Sequence, residues 1–255
     1  MNRWRIDLEY RGTDFAGWQL QPRQRTVQGV VETALEEFVG HPARVHGCGR
    51  TDSGVHARQQ VASFDTVVDR SVKSVISGLN AYLPDDVACV HAELAALDFD
   101  PRRWVVRKTY RYQWLDRPSR SPLFADRAWH VKCALDVEQM HLAAQYLVGR
   151  QDFSAFRASK CSASHPVRQV ESATVYRVGQ IVRLDIVGNG FLQHMVRIIA
   201  GTLAAVGHGQ PSAELAAILA SADRQRAGRT APPHGLTLFE VEVGKRARPW
   251  APKER

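Results

Sequence analysis

The chain has 255 residues, 44% of them hydrophobic and 24% charged, which is the composition of a packed globular protein with room for one large or two ordinary domains. Its net charge of +8 and pI near 9.6 suit a polyanion partner, and suit equally a charged, solubilising surface. Cys48, Cys89, Cys133 and Cys161 are too dispersed for a disulfide framework or a cysteine zinc site, and no apolar run reaches the ~18 residues of a membrane span. Reduced thiols and a first segment that alternates like a strand, with no signal peptide, point to the cytoplasm.

Trp4, Ile6, Leu8 and Tyr10 alternate with polar residues, which predicts a half-buried strand. Val27, Val30, Val31, Ala34, Leu35 and Phe38 follow at helical spacing, with Thr26 as N-cap and Gly40 past the end. Strands are expected near 43–48 and 59–65, a helix over 71–80, and a strand at DVACVHAEL. The second half repeats this order. WVVRKTYRYQWL reads as a strand, DVEQMHLAAQYLVG as a helix, and VRQVESATVYRV with QIVRLDIVG as a hairpin. FLQHMVRIIAGTLAAVG and SAELAAILAS read as helices, and LTLFEVEV as the last strand. Each half is β-α-β-β-α-β, so the expected fold is α+β: two ferredoxin-like halves with mostly antiparallel sheets and a cleft between them. The expected divisions are 1–101, 102–245 and a basic tail, 246–255, read as disordered.

No phosphate-binding loop and no complete dinucleotide fingerprint is present, and the ten histidines show no metal-ligand spacing. Three segments remain. GCGRTDSGVHA carries Gly47, Gly49 and Gly54 around Arg50 and Asp52. Glycines permit unusual φ angles, and an arginine near a carboxylate keeps it ionised for nucleophilic or base chemistry; Asp-Ser-Gly is also ordinary turn chemistry. In RKTYRYQWL, strand alternation puts Lys108, Tyr110, Tyr112 and Trp114 on one face and Arg107, Thr109 and Arg111 on the other. Such mixing of basic and aromatic residues suits stacking on unpaired RNA bases, and suits a half-buried core strand as well. In NGFLQHMVRIIAGTL, Leu192, Met195, Val196, Ile199 and Leu203 form a buried stripe. His194 and Arg197 share a neighbouring face, where Arg197 could reach a carboxylate, a phosphate or only solvent.

Taken together, these segments resemble the tRNA pseudouridine synthase A family. The resemblance runs through DLEYRGTDFAGWQLQP, RTVQGVVETAL, GRTDSGVHA, LPDDV, KTYRY, DFSAFRAS, PVR, GNGFLQHMVR and APPHGLTL. It implies conversion of uridine to pseudouridine at positions 38, 39 and 40 of the tRNA anticodon stem-loop by a homodimer without metal or cofactor. It implies Asp52 as nucleophile, Arg50 in base flipping and tRNA contact, Tyr110 in stacking on the uracil with a part in proton transfer, and Arg197 as the partner of the aspartate. Lys108 and Arg111 flank Tyr110 as expected substrate contacts, and Leu236 in the LTL strand is expected to supply an apolar wall. Ser53 stands where alanine is common in the family, and Ile198 where asparagine is; neither position carries a catalytic group. The alternative is a non-catalytic RNA-binding module, which explains the charge and KTYRY but leaves Arg50 and Asp52 in a Gly-rich loop without a reason. A metal-dependent nuclease needs clustered carboxylates, and this loop offers one.

Overall fold

The computed structural model describes residues 1–159 and 161–244; the expected basic tail lies outside the described residues. Strand β1 (Asn2–Tyr10) is followed by helix α1 (Val27–Val39). The Thr26 side chain accepts from Gly29 N–H at its start, and Gly40, left-handed at φ 77°, ends it, as glycine can without a Cβ penalty. The short β2 (His46–Gly47) and long β3 (His56–Thr66) come next, then α2 (Val72–Tyr82) and β4 (Val87–Ala95). In the second half β5 (Val105–Asp116), β6 (Trp129–Val131), α3 (Val137–Gln145) and β7 (Gly149–Asp152) lead to the hairpin of β8 (Val167–Val178) and β9 (Ile181–Gly188). Helices α4 (Met195–Gly207) and α5 (Glu214–Ser221) precede β10 (Leu236–Val243).

The strands run β4-β1-β3-β10-β5-β9-β8-β7, with β2 on β3 and β6 on β5. Both halves therefore have ferredoxin-like strand order, and the fold is mixed α+β with a mostly antiparallel sheet. The expectation of separate sheets needs one amendment. β2 covers β3 only at Ser63 and Ala62, which leaves the edge at His56 and Ala57 open. β10 fills it in parallel, Thr237 opposite His56 and Leu238 opposite Ala57, while pairing antiparallel with β5. An open edge exposes unpaired N–H and C=O groups, so its closure joins the halves into one sheet. β6 and β7 were not expected; each is a short addition beside a strand that was.

Every residue of α4 except Arg197 and Ala205 is buried. A helix apolar all round belongs to a core, not a surface, so the lone polar residue of its first turn has few places to point. On β5 the alternation is realised: Tyr112 and Trp114 are fully buried, and Arg107 is exposed on the opposite face. All four cysteines are free. Among the described residues no helix is long and apolar enough to cross a membrane.

Candidate active site

The segment between β2 and β3 is held from both sides. From the first half, Trp18 N–H donates to Thr51 O, Gly54 N–H donates to Phe15 O, and the Tyr10 and Thr51 hydroxyls share a 2.8 Å hydrogen bond. Gln60 Nε2 donates to Gly49 O and Cys48 Sγ to Gln60 Oε1. From the second half, Lys108 Nζ donates to Cys48 O at 2.9 Å. The loop turns at Gly54 (φ 77°), and Gly17 (φ 99°) lies so close beneath it that a Cβ there would sit 2.7 Å from Thr51 O. A side chain at Gly17 would thus push the loop away. Its far end is pinned by His56, buried between the halves. His56 Nδ1 accepts from Gly12 N–H at 3.0 Å, and Nε2 lies 3.1 Å from His234 O. Burial holds the imidazole below its usual pKa, so the neutral form suits this joint.

This frame presents the Asp52 carboxylate, 26% exposed, to the start of α4. Arg197 Nη1 donates to Asp52 Oδ2 at 3.3 Å, and Arg197 Nε donates to Ala231 O at 2.8 Å. The second contact fixes the guanidinium before any substrate arrives. His194 Nε2 lies 3.6 Å from the same Oδ2. Asp52 Oδ1 accepts from no donor among the described residues.

His194 has an unusual backbone. It is the N-cap of α4, yet it is left-handed at φ 62°, and its side chain makes no capping hydrogen bond. N-caps normally adopt the β region and gain about 1 kcal/mol from a cap; a left-handed non-glycine costs about 1–2 kcal/mol. Both sacrifices leave the imidazole facing Asp52.

Tyr110 forms the floor. Its ring is 9% exposed and packs edge-on against Phe191, centroids 5.1 Å apart at 85°. Burial, with the Asp52 carboxylate nearby, pushes its hydroxyl well above the usual tyrosine range. The cleft between the halves has a volume of ≈ 1050 Å³, and Arg50, Asp52, Lys108, Tyr110, Phe191, His194 and Leu236 are among its lining residues. Arg50 is exposed there and makes no ion pair among the described residues.

Five of the six residues singled out from the sequence meet at or around this cleft: Arg50, Asp52, Lys108 and Tyr110 line it, and Arg197 reaches it through Asp52. Arg111 does not join them. It pairs bidentately with Asp185 at 2.7 Å and lies over the Phe239 ring, 3.8 Å from its centroid. The alternation that brings Tyr110 inward sends Arg111 to the other face of the sheet. Arg50 does not touch Asp52 either, although two residues separate them; the cations beside the carboxylate come from the second half. The sequence reading missed His194 and Phe191 as cleft residues. His194 stood three residues before Arg197, a usable signal, but it was placed on a helix that begins one residue later.

Fold and site define an α+β protein whose inter-half cleft sets one incompletely satisfied carboxylate, flanked by two nitrogen bases or cations, beside an aromatic floor. The family described as tRNA pseudouridine synthase matches residues 8–102 and 143–242, two stretches that hold Arg50, Asp52, His194 and Arg197 while Tyr110 falls between them. A tRNA pseudouridine synthase A of Myxococcus xanthus is 49% identical over 94% of this chain and 92% of its own length. Those of Geotalea uraniireducens and Pelobacter propionicus are 45% and 44% identical, over 94% and 93% of this chain and 99% and 98% of their own lengths. The chain belongs to the tRNA pseudouridine synthase family.

Proposed function

We propose that the protein isomerises uridine to pseudouridine in tRNA, acting at positions 38, 39 and 40 of the anticodon stem-loop as a cytoplasmic homodimer. One observation carries the reading: among the described residues Asp52 has one oxygen without a donor in a cleft whose floor is the Tyr110 ring, while its other oxygen is held by Arg197. Pseudouridine formation breaks the bond from uracil N1 to ribose C1′ and remakes it at C5. The target base must leave its stack, at a cost of a few kcal/mol. Arg50, exposed at the cleft and without an ion pair among the described residues, suits the displaced backbone. Lys108 spends one of its three N–H donors on Cys48 O, which leaves two for a phosphate. Asp52, oriented by Arg197, attacks ribose C1′ as the uracil leaves with the N1–C1′ electron pair, Tyr110 holds the detached ring, and C5 of the turned ring then displaces the carboxylate from C1′. Orientation matters because a misplacement of ~1 Å can cost ~100-fold in rate. Phe191 and Leu236 limit the entry of water, which would hydrolyse the broken bond.

The test is release of tritium from uracil C5 in anticodon stem-loop RNA, with single uridines placed in turn at the three positions. Release above an Asp52→Asn control supports the reading and ranks the positions. Binding without release favours an RNA-binding module instead.

A further inference from the structure

Isomerisation has a proton problem that Asp52 alone does not solve. The N1–C1′ bond breaks with its electron pair on N1, and C5 of the turned ring bonds to C1′. The C5–H bond must then break, its electrons restoring the ring double bond. N1 takes up one proton, so none is gained or lost overall, but a base must accept the proton at C5.

The cleft offers few bases, and Cys161, whose thiol has a lowered pKa at the cleft wall, makes no contact with Asp52 among the described residues. Arg50 and Arg197 are guanidinium ions with no lone pair to offer. The Lys108 ammonium is engaged with Cys48 O. Burial first, and then the nearby Asp52 carboxylate, disfavour the Tyr110 phenolate, so its hydroxyl serves poorly as an acceptor. His194 lines the cleft, and its imidazole reaches Asp52 Oδ2 at 3.6 Å while a third of its side chain stays exposed. Its backbone is left-handed at a helix start that forgoes its cap, and unpaid local strain clusters where a side chain must be aimed. Among the described residues the two other left-handed non-glycines are Arg23, exposed in a turn, and Ala222, at the C-terminal end of α5; neither lines the cleft.

Resting on the function proposed above, we propose that His194 is a catalytic residue that takes the C5 proton of the re-attached uracil on its imidazole. The imidazolium so formed lies beside the Asp52 carboxylate, which stabilises it, and N1 is protonated from the imidazolium or from water.

The experiment uses His194→Gly and His194→Asn in the full chain, because both residues tolerate the left-handed backbone and preserve the start of α4. Single-turnover tritium release from anticodon stem-loop RNA is measured with and without added imidazoles of graded basicity at fixed pH, together with the rate ratio for C5-protium and C5-deuterium substrates. The expected result is a loss of at least ~100-fold in both variants, with tRNA affinity retained. His194→Gly should recover at least ~10-fold with imidazole, more with the more basic imidazoles, and the isotope ratio should rise above that of the unaltered protein. Release within about threefold in both variants overturns the proposal. So does a loss that neither responds to imidazole nor changes the isotope ratio, because that is the mark of a purely structural histidine. If the unaltered protein itself releases no tritium, it is the function reading that fails.

Discussion

Two arginine–aspartate pairs made within this fold, Arg111–Asp185 and Arg197–Asp52, are opposites in design. Asp185 is saturated: Arg111 reaches both its oxygens at 2.7 Å, and Tyr176 adds a third donor at 3.0 Å. Donor and acceptor sit on neighbouring strands of one half, register partners across β5 and β9. Asp52 receives a single, longer bond on one oxygen from an arginine 145 residues away in the other half. The first pair has every feature of a strut, because bidentate geometry with full satisfaction is where a carboxylate gains most. The second holds a carboxylate in place while leaving it something to do. Ion pairing therefore does not mark a functional residue; an incompletely satisfied member in a cleft does.

The sharpest way to break this contrast is at the carboxylates' partners. Asp52→Asn is expected to lower pseudouridine formation by at least ~1000-fold with tRNA affinity within about threefold; tritium release and a filter-binding titration check both. Arg197→Ala should lower kcat by about 100-fold, since the carboxylate loses its orientation, and steady-state kinetics should place most of the loss in kcat. Tyr110→Phe is expected to slow single turnover by only a few fold, because the buried hydroxyl is held protonated and the ring supplies the stacking; a loss near that of Asp52→Asn would give the hydroxyl a chemical role. Arg111→Ala should leave turnover within about twofold and cost about 1 kcal/mol, a Tm decrease of about 2–4 °C, read by calorimetry. The smallest effect is at the His56 joint. Its folded pKa lies below the ordinary value near 6.5, so the unfolded chain binds its proton first as pH falls. The stability it confers is complete above about 6.5 and is lost below it. A Tm profile from pH 7.5 to 5 should slope downward, and less so in His56→Asn, whose side-chain oxygen can still accept from Gly12 N–H.

Much of this was legible from the residues. The helix 27–39 carries its own start and stop in Thr26 and Gly40, and the alternation of KTYRYQWL sets Tyr110 and Arg111 on opposite faces, although Arg111 was still expected to contact substrate. Other features have no local signature. The two-residue strand at His46 is too short for a period. The left-handed turn at His194 uses a residue that gives no hint of it, and FLQHMV continues the helical period backward past the true start. That Asp52 takes its cation from Arg197 and not from Arg50 depends on contacts between halves, which spacing along the chain does not encode.

β10 carries a consequence for biogenesis. The edge of β3 that it closes has been made roughly 180 residues earlier. At about 5–20 residues per second of synthesis, the first half waits on the order of ten to thirty seconds with that edge bare and with Lys108, Arg197 and His234 not yet all in place around its loop. A ribosome stalled anywhere in that interval yields a chain that owns its aspartate but has no reaction chamber, together with an edge strand free to pair with the wrong neighbour.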